Sequence, residues 1–448
     1  MTRRPNPQPV STRASAAAAA LVLAMVAGAC SSGDDGNAKR DDAGGWNPEQ
    51  VIAADTQVGE ADPSCTGETD GILRIGSLLP ATGDLAILGP PMFAAADLAV
   101  ADINAAGGVN GRPVEYLRGD EGTTNADATV ASHLQAGVDV ILGAASSGVS
   151  EDEMPKIVDA CKIMFSPANT GAGFTVSDDD DLYFRTAPSD ILQGRVLAQL
   201  ALEDGVASAA ILARNGTYGE SLAYFTKGPL EANGIHVVRE AFYDPEASEF
   251  SGDVDAIINA NPDALFLIGY RESGRLLRTL RDRGFTPDVK RIYFTDGNTL
   301  NNIGADFAEP GALLGIRGTF PSAQVPPEFT TRLMELDPTL VDLVYGPEAY
   351  DAVVITALAA VAAGTDQSDA VAGKINGITR EGQPCGSFAE CRDLLAVGTD
   401  IDYNGPSGPQ DFAQPGEPTV ATIAIHSFGE NNQIDTTTTQ YRSVALTP

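Results

Sequence analysis

From Gly71 onward, short apolar runs alternate with longer stretches whose apolar positions recur at helical spacing. "ILRIGSLLP" predicts a strand. A helix follows in which Phe93, Ala96, Val100 and Ile103 share one face, and the glycines of "NAAGGVNGRP" stop it. "PVEYLRGD", "VDVILGA" and "KIMFSP" predict further strands, separated by the helical stretches "ATVASHLQAG" and "EDEMPKIVDAC". The rhythm then restarts. "SAAILARN", "IHVVREAFYD", "DALFLIGY" and "RIYFTDG" predict strands among the helices "ILQGRVLAQLALEDG", "GESLAYFTKGPLEANG", "FSGDVDAIINAN" and "SGRLLRTLRDRG". Such alternation predicts an α/β fold of mainly parallel sheets flanked by helices. The restart predicts two lobes rather than one large sheet.

Open parallel sheets bind ligands beyond the carboxyl ends of their strands, so those ends carry the chemistry. In the first unit they read "LLPATGDLAILG", "RGDEGTTN", "GAASSGVS" and "SPANTGAG", rich in glycine and hydroxyls. In the second they read "ARNGTYGE", "YDPEASEF", "IGYRES" and "FTDGNT", with aromatics and an acid. Two such edges face to face would make a cleft with different chemistry on its walls. Ser147 and Ser150 open a helix whose first N–H groups lack intrahelical partners and carry partial positive charge, so an anion can be held there without an arginine. Pro167 bends the next strand end so that Asn169 and Thr170 are expected to face the cleft. Helix capping and a turn would also account for these hydroxyls.

The chain has 448 residues, 43% of them hydrophobic and 20% charged, enough for two domains with cores. A formal charge of −33 repels nucleic acid and anionic membrane surfaces. Only three histidines occur, at 133, 236 and 426, far apart in sequence, which disfavours a histidine-based metal site or triad. No G-x-S-x-G elbow is present. Neither metal nor cofactor is expected. "SDDDD" at 177–181 reads as a solvated loop.

Residues 1–30 carry a basic start, an apolar run and "VAGAC", which resembles a bacterial lipoprotein signal with Cys30 as the lipidated mature N-terminus. Ala27 stands where a leucine is commoner, and a plain secretory signal is the alternative. The polar stretch 31–70 reads as a flexible tether, with Trp46 as a possible docking point. Four cysteines remain in an exported chain, which suggests two disulfides. Cys385 and Cys391, six apart in a glycine-containing loop, predict a local pair and leave Cys65 with Cys161; the other two connectivities stay open.

The ordered series "ILRIGSLLPATGDLAILG", "AVADINAAGGVNGRPVEYLRGD", "VDVILGAASSGVS", "KIMFSPANTG", "YFRTAPSD", "NGTYGES", "LFLIGYRESGRLLRTLRDRGF" and "YGPEAYDAV" resembles the type I periplasmic binding proteins. The nearest subgroup is the branched-chain amino acid (Leu/Ile/Val) receptors of ABC importers. The resemblance covers roughly 71–360, with a weaker tail. It implies a two-lobed flytrap with three hinge crossings, placed near Pro188, Phe320 and Tyr403. Lobe 1 would comprise 71–187 and 321–400; lobe 2 would comprise 188–320 and 401–448. It also implies a monomer, lipid-anchored outside the cell membrane, that binds a small carboxylate-bearing solute, foremost an amino acid, and presents it to an ABC permease. By the same resemblance, Ser147, Ala168 and Thr170 hold the solute's carboxylate, and Asp296 receives its ammonium. Asp296 stands where the branched-chain receptors carry glutamate. Tyr218 closes over the solute, Tyr270 faces it, and Leu88 walls its side chain. Arg271 and Arg275, near Tyr270, read as surface helix charge, with a second ligand carboxylate as the alternative. A sensory receptor on the same fold, or a site for an amide, urea or organic acid, is the alternative. An extracellular hydrolase would need an activated nucleophile or paired acids in the cleft, and a structural surface protein would need no ligand.

Overall fold

The computed structural model describes residues 48–122 and 125–446. Lobe 1 is built on a five-stranded, all-parallel sheet. Its strands are β1 (Arg74–Leu78), β2 (Glu115–Leu117), β3 (Val140–Gly143), β4 (Ile163–Ser166) and β5 (Tyr183–Arg185), in the order β2-β1-β3-β4-β5. The registers Ile75↔Val140 and Ile141↔Met164 align β1, β3 and β4. β3 and β4 are buried throughout, the reason they read as continuous apolar runs rather than alternating ones. The helix Gly346–Ala363 packs against the helix Gly89–Ala105 and covers this sheet. By length and composition it is apolar enough to cross a membrane, but here it is buried inside the lobe.

Lobe 2 holds β6 (Ser208–Arg214), β7 (His236–Tyr243), β8 (Ala264–Ile268), β9 (Arg291–Phe294) and β10 (Arg317–Pro321). These five are parallel. A small third sheet contains β11 (Gln383–Cys385), β12 (Ile401–Gly405) and β13 (Gly408–Pro409). The last two strands, β14 (Val420–Ser427) and β15 (Gln440–Ala445), return to lobe 2 and extend its sheet antiparallel beyond β10. The doubly covered parallel architecture expected from the alternation is the one observed.

The chain crosses between lobes after β5, at 186–189, and after β10. The third crossing differs from the expectation near Tyr403. β12 pairs parallel with β11, and Tyr403 is fully buried with its hydroxyl donated to Asp351 at 2.6 Å. The chain re-enters lobe 2 only where β14 begins, so 401–417 stays with lobe 1. The segment is amphipathic, and the edge strand β11 is its nearest partner. That partnership is tertiary information.

The expectation of a flexible tether over 31–70 does not hold for the part described, 48–70. Residues Pro48–Asp55 form a helix, and the chain beyond it is tied to lobe 1. The amide of Asp62 donates to Asp181 at 2.9 Å, and that of Ser64 donates to Asp180 at 3.0 Å. The amides of Asp70 and Gly71 donate to Asp366 at 3.0 and 2.9 Å. The "SDDDD" run is therefore a clamp on this strap rather than a solvated loop. Asp180 and Asp181 adopt φ of 51° and 55°, a conformation aspartate reaches more readily than most side chains. Disulfides join Cys65 to Cys161 and Cys385 to Cys391. The signal segment, Cys30 and Trp46 lie outside the described residues.

Candidate ligand site between the lobes

Lobe 1 builds its wall from two strand ends. β3 runs into Ala144–Ser146 and the helix Ser147–Asp159, capped by the Ser146 side chain. Gly143 must be glycine: a Cβ there would stand 2.0 Å from the Leu78 carbonyl oxygen, at φ +138°. Ser147, 2% exposed, places its hydroxyl beside Gly171. β4 ends in a turn stapled by Ser166, whose hydroxyl donates to the Ala144 carbonyl at 2.6 Å. The same oxygen accepts the amides of Ala168 and Asn169 at 3.2 and 2.9 Å. Asn169 differs from the expectation that it faces the cleft. Its amide donates to the Ala145 carbonyl at 2.9 Å and its oxygen accepts from Tyr183 at 2.9 Å, so it locks the two strand ends together. Thr170 is 1% exposed, and among the described residues its hydroxyl, near the Asp190 carboxylate, makes no well-formed hydrogen bond.

Glu121 enters the same wall unannounced by the sequence. Its carboxylate accepts the Ala145 and Ser146 amides at 2.5 and 3.2 Å, taking up donors at the helix start. Burial pushes its carboxyl up to about 8, against those two hydrogen bonds.

Lobe 2 supplies Asp296 from the end of β9. Three neutral donors reach it: Gln193 Nε2 at 2.9 Å, the Tyr218 hydroxyl at 2.8 Å and the Tyr345 hydroxyl at 2.8 Å. Its pKa is raised by burial, with these hydrogen bonds opposing. Among the described residues it forms no ion pair. Tyr218 and Tyr270 stack with ring centroids 5.0 Å apart. Gly297 lets them sit there, since a Cβ would stand 2.6 Å from the Tyr270 ring. The Arg214 guanidinium lies 3.8 Å over the Tyr270 ring and reaches Glu272 at 3.4 Å and Asp84 of lobe 1 at 3.8 Å.

The structure thus brings Ser147, Ala168, Thr170, Tyr218, Tyr270 and Asp296 to the facing edges of the two lobes. The lobes touch there. Thr217 donates to Glu151, and the Ala172 amide donates to Ser221 at 2.9 Å. Leu88 is 3% exposed before the helix Gly89–Ala105 and belongs to the apolar cluster that includes Tyr218, Tyr270 and Tyr345. Arg271 pairs with Asp306, and Arg275 donates to the carbonyls of Ala247 and Pro245 at 3.0 and 3.1 Å, so both are engaged within lobe 2. His133 is structural, with Nε2 2.9 Å from the Ser77 carbonyl oxygen. The described residues hold no cluster of metal-ligating side chains.

Besides Glu121, three participants escaped sequence reasoning. Asp190 and Gln193 lie in "PSDILQG", legible as a hinge; their i, i+3 spacing on a helix was the available signal. Tyr345 precedes the helix Gly346–Ala363 in a left-handed conformation, φ +56°, which swings its ring onto Phe320 at 4.8 Å and its hydroxyl onto Asp296.

The periplasmic binding protein family profile matches residues 72–422. The chemotactic signal transduction system substrate-binding protein BasB of Halobacterium salinarum is 27% identical over 373 residues, 78% of this chain and 86% of that one. A leucine-binding protein LivK from Thermotoga maritima superposes with a TM-score of 0.68 at 20% identity, covering 84% of this chain and 99% of its own. An ABC-transporter solute-binding protein from R. palustris, in complex with 4-hydroxybenzoate, gives 0.68 at 17% identity, over 84% and 98%. Lobe architecture, strand order and the profile match agree: the chain belongs to the periplasmic binding protein family, with the type I fold of the branched-chain amino acid receptors of ABC transporters.

Proposed function

We propose that this protein is an extracytoplasmic receptor that captures a small amino-acid-like solute between its lobes and delivers it to an ABC permease. The family is one of solute-binding proteins rather than enzymes. The solute's ammonium sits on Asp296; its carboxylate sits on Ser147, Ala168 and Thr170, with Tyr218 and Tyr270 closing over it and Leu88 toward its side chain. The protein is held at the membrane through Cys30 and acts as a monomer. One observation carries this reading. Among the described residues, Asp296 is a buried carboxylate whose hydrogen bonds all come from neutral groups, on the wall opposite a buried hydroxyl that makes no well-formed hydrogen bond. A cation on one side and an anion on the other would satisfy both. Closure then follows from contacts made to both lobes at once, since only differential affinity shifts an open–closed equilibrium.

A thermal-shift panel of L-amino acids, beside acids lacking the amine and amides lacking the acid, tests this. A ligand at 1,000 times its dissociation constant should stabilise the fold by about 4 kcal/mol. The expected shift disappears with Asp296→Ala and with the amine-free acids. A shift given only by simple acids would remove Asp296 from its role. The likeness to BasB favours a second reading, a sensory receptor on the same site. Loss of labelled-solute uptake in a deletion strain separates transport from sensing.

A further inference from the structure

We infer that the cavity where the three crossings meet is a site for a monovalent hard cation, sodium or potassium, and that an ion held there favours the arrangement in which the lobes touch. The coupling to closure rests on the reading above that a solute closes the cleft; the site itself does not.

The cavity measures about 180 Å³ and takes its lining from every crossing: Thr186 from the first, Ser322 from the second and Thr422 from the third. Lobe 1 adds Glu348, in the first turn of the helix Gly346–Ala363, with Ser407 and Gln410 on either side of β13. No residue assigned above to the solute lines it. Several of its side-chain donors are already committed. The Thr186 hydroxyl donates to the Glu348 carbonyl at 3.0 Å, that of Ser322 to the Ala323 carbonyl at 2.9 Å, and that of Ser407 to the Asp351 carboxylate. Gln410 Nε2 donates to Ser407 Oγ at 2.7 Å. Four of the lining residues are prolines, which have no N–H to offer. Acceptors remain. Gln410 is 3% exposed, and among the described residues its Oε1 makes no hydrogen bond. Glu348 is 4% exposed, and no Lys, Arg or His is among the residues lining the cavity. The helix start and its own amide ease the Glu348 charge in part, yet burial, with Asp351 nearby, pushes its carboxyl up to about 8.

A buried carboxylate among neutral oxygens calls for one positive charge held by oxygen ligands. Calcium and magnesium sites draw on more carboxylates than this. Asp351 does not supply a second, because its oxygens are taken by the Tyr403 hydroxyl at 2.6 Å, the Ser407 amide at 2.8 Å and the Ser407 hydroxyl. A lining without His or Cys does not suit the softer transition metals. The volume leaves room for the ion to keep part of its water. Any rotation of one lobe on the other turns about these crossings, so oxygens drawn from all of them hold a given spacing in one arrangement only. An ion that fits that spacing pulls the equilibrium toward it. Here the arrangement has the lobes in contact, through Thr217 with Glu151 and Ala172 with Ser221. By reciprocity, the solute raises the ion's affinity by the factor that the ion raises the solute's.

The test melts the full chain in sodium, potassium or tetramethylammonium chloride at one ionic strength, the last being a cation whose methyl groups shield its charge. Sodium or potassium should raise the melting temperature by about 3 °C over tetramethylammonium. Glu348→Gln should abolish that rise. Gln410→Lys, which puts an ammonium into the cavity, should melt high in tetramethylammonium and gain nothing from the alkali ions; a merely structural Gln410 predicts a loss in every salt. Crystals soaked in rubidium chloride should show anomalous scattering between Glu348 and Gln410. A wild-type melting temperature alike in all three salts overturns the site, as does an alkali rise that survives both substitutions. A response to calcium alone overturns the monovalent assignment. Calorimetry with the L-amino acids of the panel above should give an affinity at least about fivefold higher in the preferred alkali ion than in tetramethylammonium. An alkali rise with unchanged amino-acid affinity overturns the coupling. An alkali rise with no amino acid bound in any salt keeps the site and sinks the solute reading; amino-acid binding without any alkali effect does the reverse.

Discussion

Asp296, expected from the resemblance to stand in place of a longer glutamate, draws donors from both lobes. The carboxylate is met by Tyr345 from lobe 1, as well as by Tyr218 and Gln193 from lobe 2. Tyr345 reaches it only because its backbone is left-handed, a conformation that costs a bulky residue roughly 1–3 kcal/mol and persists where the surroundings demand it. The hydroxyl therefore counts for more than packing. Tyr345→Phe keeps the ring on Phe320 and removes one charge-assisted hydrogen bond, of about 1.5–3 kcal/mol. Calorimetry should show solute binding weakened by about 10- to 100-fold, with little change in melting temperature. The sequence displayed Tyr345 in "YGPEAYDAV" but not its reach, because a φ angle of that sign is not written in a tyrosine.

Among the elements, β5 does more than close the lobe 1 sheet. Its last residue, Arg185, is fully buried. It bonds Glu417 through Nε at 2.6 Å and the Gly171 carbonyl through Nη1 at 2.7 Å, while Glu417 also accepts from Thr175 at 2.7 Å. This cluster ties the cleft loop 171–175 and the start of the first crossing to the chain just before the third crossing. Two of the three hinges thereby share one anchor. Breaking a buried pair from one side leaves an uncompensated charge, so Glu417→Gln should cost about 3–5 kcal/mol in urea unfolding. Replacing both partners, Arg185→Met with Glu417→Leu, should restore much of it. The alternation of strand and helix was plain in the sequence because each buried strand is a continuous apolar run. β5 was not, being three residues long with an arginine at its end.

At the scale of the whole molecule, the strap 56–70 alters how a lipid at Cys30 would hold the protein. The strap is tied to lobe 1, and the Cys65–Cys161 disulfide closes a span of 96 residues over it. Removing this bridge with Cys65→Ser and Cys161→Ser should cost about 2–5 kcal/mol. Limited proteolysis should then cut between 56 and 66, where the intact protein resists. An unchanged melting temperature and cleavage pattern would mean that the carboxylates of Asp180, Asp181 and Asp366 hold the strap unaided.

What the sequence determined by itself was everything written in local periodicity and in ordered motifs: the two α/β units, their parallel sheets, the family, and strand ends that carry hydroxyls in one lobe and aromatics with an acid in the other. Apolar periodicity is a short-range property, legible within a dozen residues. The tertiary structure alone decided which carboxylates lose water together. Asp190 and Asp296 are far apart along the chain, and the charge of Asp296 acts on Asp190 only once both are buried in the fold. It also decided where the third crossing falls and that an acidic run grips the strap. In each case the partner lies more than 15 residues away, and a hydrogen bond or a shared loss of solvent leaves no trace in either segment's own composition.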